Sequence, residues 1–222
     1  MLGRRGRRHP NDRAGVDSMT LQTRAQCSFG HARDRATAGE GRQMQMATKL
    51  KRWTLEEVHR LPDDGNKYEL VRGDLFVTPP PTDDHETIAA RLAKALTPYV
   101  EAQRLGLVYR PRAVLRFEDS EVEPDLMVRQ TSPRKHTAWE HAPRPILIVE
   151  VFSDSTRRRD MTDKRQLYAD AHIAEYWMVD PDRRVVTVVQ PGHSDRVVSD
   201  LLAWSPAGAT APFEITLDEL FA

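Results

Sequence analysis

The run Ile146-Leu147-Ile148-Val149-Glu150-Val151-Phe152 constrains this chain more than any other stretch of it. Four aliphatic residues, a carboxylate and two further apolar residues read as a buried strand. An ionised carboxylate in that setting is costly unless it is paired, hydrogen-bonded or bound to a cation. A second acid, Asp125, follows Glu123-Pro124 at the start of the strand-like Asp125-Leu126-Met127-Val128. Two carboxylates on neighbouring strands, with a lysine to follow, point to a metal site suited to phosphodiester chemistry.

Charge is unevenly spread along the chain. Formal net charge is zero over 222 residues, yet residues 1–46 carry nine Arg against four acids. The remainder therefore carries 24 basic against 29 acidic groups, which argues against tight non-specific binding to a nucleic-acid backbone. Cys27 is the single cysteine, so a disulfide framework and a thiolate metal cluster are both excluded. No apolar run approaches membrane-spanning length, and the expectation is a soluble, cytoplasmic protein. Residues 1–46 lack apolar periodicity and read as a disordered basic extension, with Met44 and Met46 as alternative starts. Their Arg pairs precede no apolar core, unlike an export or transit signal, so the choice lies between a solvated tail and a nucleic-acid-binding one. Residues 47–222 are expected to form a single domain.

Within that domain, Thr54 is a fitting N-cap for a helix bearing Leu55, Val58 and Leu61 and ended by Pro62. Tyr68–Val71 and Leu75–Val77 form a hairpin around Arg72-Gly73-Asp74. Thr82 or Asp83 caps a long helix with the stripe Ile88, Leu92, Ala95, Leu96 and Tyr99, closed by Gly106. Residues 107–117 read as extended, 125–128 as a strand, and 175–180 with 185–189 as a second hairpin. Residues 212–221 read as a short strand and a helical turn. The order is that of an α/β domain, a mixed sheet with helices.

Between the strands at 146–152 and 175–180 lies a helix expected over 157–171. Met161, Lys164, Leu167, Tyr168 and Ala171 share one face at helical spacing, so Lys164 falls within an inward stripe. It either snorkels along its stem or reaches an anion. Because the helix directly follows the strand holding Glu150, it can fold back and bring Lys164 toward both acids. Arg157, Arg158, Arg159 and Arg165 either contact phosphates or form a solvated surface.

Several separated motifs then match one family in order. Tyr68-Glu69-Leu70-Val71-x-Gly73, Glu123-Pro124-Asp125-Leu126 and Ile148-Val149-Glu150-Val151-x-Ser153-x-Ser155-Thr156 resemble the Uma-type restriction-endonuclease-like proteins. So do Asp160-x-x-x-Lys164-x-x-x-Tyr168 and Glu175-Tyr176-Trp177-x-Val179-Asp180-Pro181. The resemblance spans about residues 50 to 190. It implies membership of the PD-(D/E)XK nuclease superfamily: a restriction-endonuclease-like mixed sheet flanked by helices, here with an N-terminal hairpin extension. It also implies a Mg²⁺ or Mn²⁺ site, DNA as substrate and a homodimer.

By position, the resemblance assigns Asp125 and Glu150 as ligands of the cation, with the main-chain carbonyl of Val151 as a further ligand. The superfamily's lysine is expected at 152, where this chain has Phe152; the resemblance instead offers Lys164, from the following helix. Lys164 would orient a water or stabilise transition-state charge, and Glu69 matches an upstream acid brought toward the metal. The implied activity is that of a Mg²⁺-dependent endodeoxyribonuclease. The alternative is a non-catalytic binding module of the same fold in a defence or mobile-element system. Each residue also has a plainer reading. Asp125 can initiate its strand, and Glu150 and Lys164 can belong to structural ion pairs. His85 can be a capping or surface histidine, Tyr168 core, and Glu175 and Asp180 turn-forming.

Overall fold

The computed structural model describes residues 51–222, and the basic extension expected at 1–46 lies outside the described residues. Thr54 starts α1 (Leu55–Val58) through a reciprocal cap, its hydroxyl accepting from Glu57 N while the Glu57 carboxylate accepts from Thr54 N. That helix is a single turn, so Leu61 falls beyond it. β1 (Lys67–Val71) and β2 (Asp74–Thr78) pair as the expected hairpin. Arg72 and Gly73 at its tip have φ of 50° and 82°, as a two-residue turn matched to strand twist requires. Thr82, not Asp83, caps α2 (Asp83–Ala102). Gly106 ends the connection with φ of 123°, where a Cβ would stand 2.1 Å from the Arg129 carbonyl oxygen.

Residues 107–117 do not form one extended segment. β3 (Leu107–Tyr109) and β4 (Leu115–Arg116) belong to different sheets, and Pro111, which has no N–H to donate, lies between them. β5 (Glu121–Val122) pairs with β4 and with β1. β6 (Leu126–Arg129) starts one residue after Asp125, and β7 (Leu147–Val151) is the buried strand. The following helix comes in three pieces: α3 (Arg157–Arg159), a π turn (Asp160–Lys164) and α4 (Arg165–Asp170). Next come β8 (Tyr176–Asp180), β9 (Val185–Val189), β10 (Arg196–Val198), β11 (Leu201–Trp204), β12 (Phe213–Thr216) and α5 (Leu217–Leu220).

The described residues form three sheets: β2-β1-β5-β4, β10-β9-β8-β7-β6-β3, and the ribbon β11-β12. The hairpin expected as an extension is thus half of a four-stranded sheet. In the six-stranded sheet β7 and β8 run parallel. A parallel pair requires a crossover of a dozen or more residues, and the α3–α4 helix is that crossover. Side chains alternate along β7: Leu147, Val149 and Val151 enter the core shared with α2, β11, β12 and α5. Ile148 and Phe152 enter the second core, with Leu167, Tyr168 and Ala171 of the crossover. Glu150 has the parity of Ile148 and Phe152, so it points beneath the crossover helix.

The expected inward stripe of that helix fails at one position. Met161 is 49% exposed, whereas Asp160 is 1% exposed. A π turn carries more residues per turn than an α-helix, which changes the phase of the side chains. Three of the four arginines read as phosphate contacts or solvated surface are committed internally. Arg157 binds Asp180 and Asp182, Arg165 binds Asp195 through two 2.8 Å bonds, and Arg159 is buried against Glu69 and Thr78. Arg158 remains exposed.

Candidate functional site

Charged side chains from five elements come together here: β1, α2, the start of β6, β7 and the crossover helix. In the antiparallel β6–β7 ladder Leu126 faces Val149, and one step further along that register Asp125 comes level with Glu150. Asp125 Oδ2 accepts hydrogen bonds from Val151 N (2.8 Å) and His85 Nε2 (3.1 Å). An ionised carboxylate can only accept, so His85 carries its proton on Nε2 here. Lys67 Nζ lies 3.6 Å from the other oxygen, Oδ1. Burial opposes ionisation of Asp125, but the His85 hydrogen bond and the Lys67 charge outweigh it and hold the carboxyl at about 2.

Glu150 sits in the opposite regime. Its Oε1 accepts from Lys164 Nζ (2.9 Å) and from the Tyr168 hydroxyl (2.6 Å). Burial, then the negative charges of Asp160 and Asp125, push its pKa up to about 7 against the attraction of Lys164. Lys164 is fully buried and also reaches Glu69 Oε1 at 2.9 Å and Asp160 Oδ1 at 3.6 Å. Desolvation works against its charge, yet the surrounding acids raise its pKa above the ordinary lysine value.

Glu69 lies behind Lys164. Its Oε1 accepts from Glu123 N at 2.9 Å, and Oε2 stands 3.1 Å from Arg159 without the alignment of a hydrogen bond. Burial raises its pKa, and Lys164, Lys67 and Arg159 more than reverse that, leaving it lowered. Asp160 is raised by burial and by Glu69, and its Oδ1 accepts no hydrogen bond among the described residues. The plainer readings fare unevenly. His85 does have its main chain capped by Thr82, but its ring binds Asp125 and is no surface group. Tyr168 is core, and its hydroxyl serves Glu150. Asp180 accepts from Arg183 N in a turn, whereas Glu175 is bound by Trp177 and Gln190. Phe152, where a lysine is expected, is buried in the core under the Arg157 guanidinium.

Lys67 and Asp160 are the site residues that the sequence reading misses. Both carried a usable signal. Lys67 shares a strand face with Glu69, two positions on, and Asp160 stands four residues before Lys164 on one helix.

A cavity of about 390 Å³ opens over this cluster, lined among others by Lys67, His85, Asp125, Glu150, Val151 and Lys164. No three His, Cys, Asp or Glu side chains converge as a ligand group among the described residues. The donors that remain are still suited to a hard cation. Asp125 Oδ1 and Glu150 Oε2 accept no hydrogen bond among the described residues, and both residues line the cavity. Mg²⁺ keeps several waters and needs only one or two carboxylates. Four carboxylates (Glu69, Asp125, Glu150, Asp160) are gathered here, and burial with mutual repulsion raises two of them, Glu150 and Asp160, a repulsion that a bound cation would relieve. The residues present fit a divalent ion.

A crystal structure from Anabaena variabilis ATCC 29413, described as "a putative nuclease belonging to DUF820", superposes with a TM-score of 0.66 at 23% identity. The match covers 76% of this chain and 97% of that one. The fold is therefore restriction-endonuclease-like, a mixed sheet with a helical crossover above the parallel pair β7–β8. The family model Uma2, described as "Putative restriction endonuclease", matches residues 55–218, and the chain belongs to that family. No curated protein matches it.

Proposed function

We propose that this protein is a metal-dependent endonuclease that hydrolyses phosphodiester bonds in DNA, with Asp125 and Glu150 holding Mg²⁺ or Mn²⁺. The observation that carries the reading is the pair of carboxylates with free oxygens on one cavity, one of them fixed from behind by a buried lysine. The Val151 carbonyl is the further oxygen donor. When bound, the cation supplies Lewis acidity toward a phosphoryl oxygen and lowers the pKa of a coordinated water.

The chain's own residues perform the positioning. His85 and Val151 N fix one oxygen of Asp125, which leaves the other turned to the cavity. Lys164 and Tyr168 do the same for Glu150, and Glu69 holds Lys164 in place. Hydrolysis forms one P–O bond from water and breaks the bond to the leaving oxygen, which takes a proton. DNA as the substrate rests on the family and on the donor set.

The test is cleavage of plasmid, linear and single-stranded DNA with Mg²⁺ or Mn²⁺, alongside Mn²⁺ binding by calorimetry. Asp125→Ala and Glu150→Ala should lose both. Tyr168→Phe should lower metal affinity or activity by about 10–100-fold, as loss of a ligand's supporting partner does. Activity that survives chelation, or that is equal in all four proteins, removes the catalytic reading. Metal and DNA binding without cleavage would support the binding-module alternative.

A further inference from the structure

Three cations line the cavity, and they are not equivalent. Lys164 has two of its three N–H groups committed to Glu150 and Glu69 and no exposed surface. Arg112 forms a pair with Asp63 in which both side chains are largely exposed, at 68% and 83%. Lys67 has a different situation. Its ammonium donates one hydrogen bond, to the Glu123 carbonyl oxygen at 3.1 Å, and its side chain is 21% exposed. It stands 3.6 Å from Asp125 Oδ1 and 4.0 Å from Glu69 Oε1, too far for further hydrogen bonds.

We infer that Lys67 is the cavity's phosphate-binding group, its ammonium contacting a non-bridging oxygen of the scissile phosphodiester, while Lys164 is a positioning residue that never meets substrate. This inference rests on the endonuclease reading. Two N–H groups of Lys67 remain unused, and they lie beside the carboxylates between which the phosphate must come. Arg159 and Arg157, the other cations close by, are held in ion pairs with Glu69 and with Asp180 and Asp182. A divalent ion at Asp125 would also repel the ammonium from Oδ1, toward the incoming anion. Phe152, the residue after Val151, lies in the apolar core, so the end of β7 presents no cation of its own to the cavity.

The test is equilibrium binding of a fluorescein-labelled single-stranded oligonucleotide and its duplex, read by anisotropy across a salt series in Ca²⁺ and in chelator. Lys67→Met and Lys67→Gln should each weaken binding about tenfold. Their salt slopes should fall by about 0.7 on the single strand and about 0.9 on the duplex, the signature of one lost phosphate contact. Lys67→Arg should restore the slope. Lys164→Met, folded as judged by its melting curve, should keep the wild-type slope in chelator, where Glu150 holds no ion, while losing thermal stability. Unchanged affinity and slope in both neutral Lys67 variants overturn the inference and leave the endonuclease reading standing, provided that the wild type cleaves. A changed slope of Lys164→Met in chelator overturns it as well. A wild type that binds no DNA under either condition removes both.

Discussion

Glu150 is where the chain departs furthest from what water would dictate. Its carboxyl titrates near 7 rather than at the ordinary 4.5, because burial and two neighbouring acids disfavour its charge. A folded-state pKa above the unfolded one means that the fold binds this proton more tightly than the open chain does. The associated stability is fully present below about 4.5 and is lost as pH rises through about 7. Glu150→Gln does not titrate, so its melting temperature should gain on the wild type between about pH 5 and about pH 8 in chelator. A difference that stays flat or shrinks would show that the carboxyl is not raised. Glu150 could be singled out from sequence because a carboxylate within an aliphatic run is anomalous by composition alone. Lys67 carried only its place on the strand face of Glu69, and by itself a lysine opening a hairpin looks like any solvated one. Only the pairing of β1 with β2 and β5 turns it inward.

The crossover helix shows what periodicity captures at the level of an element and where it stops. Spacing placed Lys164, Leu167, Tyr168 and Ala171 on the inward face, and all four are buried. It also placed Met161 there, since a 3.6-residue repeat contains no information about a π turn. The start of the helix is tied to the end of β8 by Arg157, whose guanidinium binds both oxygens of Asp180 at 2.5 and 3.0 Å. Burial alone would raise the Asp180 pKa, but the Arg157 and Arg183 hydrogen bonds hold it below 3.8. A depressed carboxyl contributes stability above its unfolded pKa and loses it as pH falls toward the folded one. Arg157→Ala leaves Asp180 nearly buried beside a single main-chain donor and should cost about 2 kcal/mol near neutral pH. That cost should shrink at about pH 3, where protonation removes the charge that the arginine served. Urea titrations of both proteins at the two pH values would measure it, and a cost independent of pH would assign the loss to packing.

At the scale of the whole molecule, one sheet separates two jobs. Leu147, Val149, Val151 and Trp177 pack on the side of α2 and the C-terminal β11, β12 and α5, while Glu150 and its partners occupy the other. The sheet of β7 to β9 was legible because long apolar runs alternate with turn residues. Of the ribbon only β12 was legible: Leu201-Leu202-Ala203-Trp204 is apolar throughout, and only its pairing with β12 decides that Leu202 and Trp204 are buried and Leu201 is not. This division makes stability and site chemistry separable by mutation. Leu202→Ala removes a fully buried side chain from the core on the α2 side of the sheet and should cost about 2–5 kcal/mol. The surviving folded protein should bind Mn²⁺ as tightly as the wild type, because Leu202 packs on the face of the sheet opposite the Glu150 side chain. Urea titration reads the first quantity and calorimetry, well below the melting temperature, the second. A fall in Mn²⁺ affinity of the folded variant would mean that the C-terminal cover reaches through the sheet to set the site. In that case the two faces would have to be treated as one mechanical unit.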